Sequence, residues 1–151
     1  MKTLKEKRIE QKQLAKERIP VIAKSLLECK QGTITIDNIT MELAGSGKAN
    51  FCYSTSDNYD DVFHIGLGEA LCKADPKLVY CGLFEQGEKI RAIVYAGEDI
   101  SKEKSAGEIV KRISQILGGA GGGSPKFAQG GGTDKSKKED AIKNAKSMII
   151  E

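Results

Sequence analysis

Tryptophan is absent from this sequence, and histidine occurs once, at His64. A single imidazole leaves almost no material for a histidine-assisted serine or cysteine nucleophile, and no other acid or base stands out. The residues therefore give no positive sign of catalysis, and His64, beside an apolar helical stripe, reads as a partly buried structural residue. Aromatics make up only 5% of the chain, which argues against a large aromatic binding cage. The four cysteines, Cys29, Cys52, Cys72 and Cys81, include no C-x-x-C pair. They read as reduced, half-buried thiols, with no metal site and no cofactor expected.

A long hydrophobic run is also missing: nothing approaches the roughly 20 apolar residues that span a bilayer, and the first residues, MKTLKEKRIEQKQ, are charged where a signal peptide is apolar. The expectation is a cytoplasmic protein without membrane contact. Its 151 residues suit one compact domain with a helical appendage. The net charge of +3 conceals a pattern. Residues 1–30 carry nine basic and four acidic side chains, residues 31–100 five and eleven, and residues 101–151 ten and six. Basic flanks around an acidic middle can orient a polyanion, although solvated surface charge produces the same pattern.

Residues 2–28 read as a charged helix with sparse apolar positions, interrupted by Pro20, and residues 1–30 as a helical spacer ahead of a globular domain over 31–151. The period then changes. Residues 33–36 and 39–43 alternate apolar with polar around Asp37-Asn38, as in a hairpin, and residues 49–55 supply a third strand. Val62, Phe63, Gly66, Leu67, Ala70 and Leu71 recur at helical spacing, and Pro76 closes that helix. Two more strands, 77–84 and 89–95, flank the turn Glu85-Gln86-Gly87-Glu88.

Ser105 and Glu108 have capping-box spacing ahead of an amphipathic helix with Ala106, Ile109, Val110, Ile113, Ile116 and Leu117 on one face. Ser136 and Glu139 repeat that spacing before a last stripe of Ala141, Ile142, Ala145, Met148 and Ile149. The order of elements is that of an α/β fold, a mixed or antiparallel sheet of about five strands covered by helices. Gly45-Ser46-Gly47-Lys48 is only a turn, since a P-loop needs glycine where Glu42 stands and Ser or Thr where Ala49 stands.

Eight of the fifteen residues from Gly118 to Gly132 are glycine. The segment follows a helix rather than a strand, so it fits neither the dinucleotide fingerprint nor the P-loop. Each glycine costs roughly 0.5–1 kcal/mol relative to alanine in a regular element. Pro125, Phe127 and Gln129 interrupt the run in a way that a flexible tether does not require. An ordered glycine-rich loop over 118–132 is expected, its N–H groups near Lys126, Lys135, Lys137 and Lys138 and the start of the last helix, an arrangement suited to phosphate oxygens.

The run SAGEIVKRISQILGGAGGGSPKFAQGGG, residues 105–132, resembles the DHH-associated C-terminal domain of alanyl-tRNA synthetase, in which a long glycine run is followed at fixed spacing by P-x-x-A-Q-G-G. In DHH-family phosphoesterases, which share the domain type, a histidine follows the glycines; here Ser124-Pro125 follows Gly123. The resemblance implies a non-catalytic module that binds the outer corner of tRNA, with tRNA-Ala as partner, alongside aminoacylation and editing domains, and that can form a homodimer. It places Gly118, Gly119, Gly121, Gly122, Gly123, Ser124, Lys126, Gln129, Gly130, Gly131 and Gly132 on the RNA side. Lys104, Lys111, Arg112, Lys135, Lys137 and Lys138 support them. The alternatives are a substrate-binding domain of a phosphoesterase and a purely dimerising module.

Overall fold

Alternating strands with one short crossover fix the architecture of the computed structural model, which describes residues 32–36, 39–45, 50–56 and 61–149, together with positions 13, 16–21 and 24. From Gly32 onward the described residues form seven strands and three α-helices in chain order: β1 (Gly32–Ile36), β2 (Ile39–Gly45), β3 (Asn50–Ser56), α1 (Asp61–Ala74), β4 (Leu78–Gln86), β5 (Lys89–Ala96), α2 (Ala106–Ile116), β6 (Ala120–Gly123), β7 (Phe127–Gly132) and α3 (Lys138–Ile149). The helix expected over 2–28 falls mostly outside the described residues. At Ile19 the side chain reaches α1, where a Cβ added to Gly66 would lie 2.5 Å from its Cδ1.

One sheet holds all seven strands in the order β1-β2-β3-β4-β5-β7-β6. Only β3 and β4 pair in parallel, and α1 is the crossover that such a pair requires. The five expected strands are present. The sheet is wider by two because the glycine segment supplies β6 and β7 instead of a loop. Successive side chains of each central strand point to opposite faces of the sheet. Val79, Cys81 and Leu83 of β4 and Ala92, Val94 and Ala96 of β5 join Ile109, Val110 and Ile113 of α2 and Ala141 and Ala145 of α3 in one core.

On the opposite face, α1 lies over β4 and β5. Gly68 is the point of closest approach: a Cβ there would come 2.8 Å from the rings of both Tyr80 and Tyr95. Phe63, Leu67 and Leu71 of α1 are fully buried, each worth about 1.5–3 kcal/mol of transfer free energy. Gly87, with φ of +64°, makes the β4–β5 turn that the sequence marks. α1 packs on β4 and β5, and among the described residues no helix lies over β7 and β6 on this side.

Candidate nucleic-acid interface

Helix α2 ends at Leu117, and Gly118 turns the chain back with φ of +79°, a left-handed conformation that favours glycine at a helix end. The chain then forms the β6–β7 hairpin. Its four-residue turn, Ser124 to Phe127, closes with the Ser124 N–H donating to the Phe127 carbonyl at 2.9 Å. The Ser124 hydroxyl accepts from the Phe127 N–H at 3.1 Å, and Pro125 at the second position is preset for such a turn.

This tip sits on the start of α2. The Ala106 N–H donates to the Pro125 carbonyl at 2.8 Å and the Gly107 N–H to the Ser124 carbonyl at 3.1 Å. Ser105 occupies the N-cap but its side chain makes no capping bond. The expected capping box is thus replaced by two carbonyls from the hairpin, which satisfy the helix's unpaired amides equally well. Ahead of α3 the cap likewise shifts. Asp134, not Ser136, provides it, capping the 3-10 turn Lys135–Lys137 that leads into α3, with its carboxylate accepting from the Ser136 N–H at 3.2 Å. With Glu139 and Asp140 in the first turn of α3, that helix start repels a phosphate instead of attracting one.

Most of the glycines are required by packing. Ser114 of α2 is fully buried and its hydroxyl accepts from the Gly131 N–H at 3.0 Å. A Cβ at Gly130 would lie 2.2 Å from that hydroxyl, and one at Gly121 would lie 2.7 Å from it. The hairpin therefore lies directly on the helix, main chain against main chain. Gly122 differs: a Cβ there meets nothing within 4 Å. The amides expected to be open to phosphate are largely in use. Gly119 N–H donates to the Ser114 carbonyl at 2.8 Å and Gly118 N–H to the Gln115 carbonyl at 3.2 Å.

The sheet face on the side of α1 carries side chains at alternate positions of β5 and β7, with Ile93 fully buried beneath the helix. Register pairs Arg91 with Gly131, Ile93 with Gln129 and Tyr95 with Phe127. The Tyr95 and Phe127 rings touch with centroids 4.7 Å apart. Arg91 donates through Nη2 to Gln129 Oε1 at 3.2 Å. Beside this pair lies a cleft of about 380 Å³, bounded by Lys89 and Arg91 on one strand, Gln129 to Thr133 on another, and Gly118 to Ala120 at the end of α2.

The structure brings Gly118, Gly119, Gln129, Gly130, Gly131 and Gly132 together around this cleft. Gly122, Ser124 and Lys126 are exposed along β6 and at the hairpin tip. Gly121 and Gly123 face packed main chain, Gly123 against Ala128 and Phe127. Lys135 bridges to the β4–β5 turn, donating to the Gly87 carbonyl at 2.7 Å with Glu85 at 3.8 Å. Lys137 lies 3.8 Å from Asp140, and Lys138 is half-buried at the start of α3.

Lys111 and Arg112 are exposed on α2, on the other side of the sheet from the cleft, and Lys104 is half-buried ahead of that helix. Arg91 and Lys89 complete the cleft and are not among the sequence-derived site residues. Their signal was the alternation Lys89-Ile90-Arg91-Ala92, which puts two cations on one face of a strand.

Away from the cleft, His64 and the buried cysteines belong to the core. His64 is fully buried, with Nδ1 2.8 Å from the Tyr80 hydroxyl and 3.2 Å from Ser54 Oγ. Its ring stacks on Phe84 at 5.0 Å. Burial pushes its pKa down to about 3, so it is neutral and unavailable as an acid or base. Burial likewise raises the thiols of Cys72 and Cys81 to about 12, and neither is a nucleophile at neutral pH. Among the described residues no group of three or more His, Cys, Asp or Glu is arranged to hold a metal ion. No described helix is long and apolar enough to cross a membrane.

A mixed sheet whose last two strands are a glycine hairpin lying against a helix defines a class. The DHHA1 domain matches residues 48–151, and the chain belongs to that family. It is 44% identical over 147 residues to an alanine–tRNA ligase of Nitrosopumilus maritimus (strain SCM1), which covers 97% of this chain and 15% of that protein. An alanine–tRNA ligase of Cenarchaeum symbiosum (strain A) is 41% identical over 92 residues, 61% of this chain and 10% of that protein. The chain thus spans a small part of the length of these relatives. Among solved structures, the C-Ala domain from Aquifex aeolicus alanyl-tRNA synthetase superposes with a TM-score of 0.67 at 25% identity, over 72% of this chain and 98% of that one.

Proposed function

We propose that this chain is a non-catalytic tRNA-binding module of alanyl-tRNA synthetase type, and that its RNA-facing surface is the face of β7 and β6 beyond α1 together with the Lys89–Arg91 end of β5. The observation that carries the proposal is the cleft beside the glycine hairpin, lined by Lys89, Arg91 and Gln129 and by no carboxylate side chain. Backbone strands without side chains let a bulky, folded RNA approach closely, while cations at the rim meet its phosphates. The similarity to alanine–tRNA ligases over nearly the whole chain supports tRNA, and tRNA-Ala in particular, as that RNA. The part recognised is the outer corner of the molecule, read by shape, and the bound module serves aminoacylation and editing carried out by other domains.

A salt-titrated mobility shift tests this reading by comparing tRNA with an RNA duplex of equal length that has no corner. Tighter binding of tRNA by about tenfold or more, roughly 1.4 kcal/mol, is expected at every salt concentration. Equal affinity for both RNAs would reduce the surface to a general polyanion attractor and refute shape recognition.

A further inference from the structure

We infer that Arg91 is the residue that grips a backbone phosphate in the cleft, with Gln129 as its positioning partner and second donor. The inference rests on the tRNA-binding reading above and assigns the electrostatic contact to a side chain instead of to the glycine amides. Three observations lead to it. First, the amides best placed for an anion are spent within the fold: those of Gly118 and Gly119 on α2 carbonyls and that of Gly131 on the Ser114 hydroxyl. An incoming phosphate would have to break those bonds to use them.

Second, the Arg91–Gln129 contact orients both partners. A guanidinium only donates, so the Gln129 atom that faces it at 3.2 Å is the amide oxygen, and the amide NH2 is left as a donor. Arg91 spends one N–H on that bond and keeps the rest of its planar fork, which matches phosphate oxygens two at a time. Third, the cleft lacks a competing acceptor of charge. Among the described residues neither Arg91 nor Lys89 pairs with a carboxylate, and none of the lining side chains is acidic. A site furnished almost entirely with donors takes an acceptor-rich group, and about 380 Å³ accommodates a sugar–phosphate unit but not a duplex.

The test measures tRNA affinity against salt for the intact chain and for Arg91→Ala, Arg91→Lys, Gln129→Glu and Lys111→Ala. Arg91→Ala is expected to lose about tenfold in affinity and to flatten the slope of log K against log salt by about 0.7–0.9, one phosphate contact. Arg91→Lys should keep the slope while recovering only part of the affinity, because a point charge replaces the fork. Gln129→Glu should weaken binding by pairing Arg91 with a carboxylate, and Lys111→Ala on the far side should bind as the natural sequence does. Natural affinity and slope in Arg91→Ala would overturn the assignment while leaving tRNA binding intact. A loss of affinity with an unchanged slope would also overturn it, pointing to a base edge. If the natural chain fails to bind tRNA at all, the reading on which the inference rests falls with it.

Discussion

Ser114 is a polar residue on an otherwise apolar helical stripe, and its surroundings explain three glycines at once. Its buried hydroxyl accepts from Gly131, and Gly121 and Gly130 leave the space it fills. Removing the hydroxyl leaves the half-buried Gly131 N–H without its partner, so Ser114→Ala should cost about 1 kcal/mol in urea unfolding. Glycines facing main chain should be less forgiving still. A Cβ at Gly132 would lie 2.1 Å from the Leu117 carbonyl oxygen, so Gly132→Ala should cost about 1–3 kcal/mol or more. Gly122→Ala, with open space around it, should stay within about 0.5 kcal/mol of the natural protein. Equal losses in the two alanine variants would show that packing does not distinguish these glycines.

At the same scale, His64 makes stability depend on pH. Its folded pKa of about 3 lies below the unfolded value of about 6.5, so the unfolded chain binds the extra proton between those two values. Stability should therefore fall as the pH drops from about 6.5 toward 3, by up to roughly 1.4 kcal/mol per unit, and level off below. His64→Gln, measured at pH 7 and pH 4.5 by denaturant midpoint, should lose markedly less over that interval than the natural chain. A parallel loss in both proteins would assign the acid sensitivity to other groups.

At the scale of elements, periodicity in the sequence marked β1 to β5 and the helices α1 to α3, whose apolar stripes pack against the sheet. The hairpin had no such signal. Glycine has no side chain to alternate, and strand pairing of Gly121 with Gly130 depends on the helix beneath, which local pattern does not reveal. The same cause misdirected the capping box: Ser105 and Glu108 have the right spacing, but the carbonyls of Ser124 and Pro125 reach the α2 amides first. Ser105→Ala should consequently cost only a few tenths of a kcal/mol by thermal unfolding, where a working serine cap costs about 1. A loss above 1 kcal/mol would mean that the hydroxyl does cap the helix in solution. Within the site, the glycine motif and Gln129 were legible, while Lys89 and Arg91 were hidden in a strand whose exposed face is defined only by where α1 stops.

Across the whole molecule, the basic residues that read as one group in sequence are divided by the sheet. Lys89 and Arg91 border the cleft and Lys126 is exposed at the hairpin tip, whereas Lys111 and Arg112 stand on the outer surface of α2. In the binding mode proposed above, a rigid RNA corner seated over the cleft would not reach around β6 and α2 to neutralise both sets. That mode engages fewer phosphates than the count of lysines and arginines in residues 101–151 suggests. Double replacement of Lys111 and Arg112 by alanine should leave tRNA affinity within about twofold and the salt slope unchanged, whereas double replacement of Lys89 and Arg91 should flatten the slope by about 1.4–1.8. If the α2 pair changed the slope as much as the β5 pair, the RNA would have to wrap the edge of the sheet, with β6 at the centre of the contact instead of at its margin.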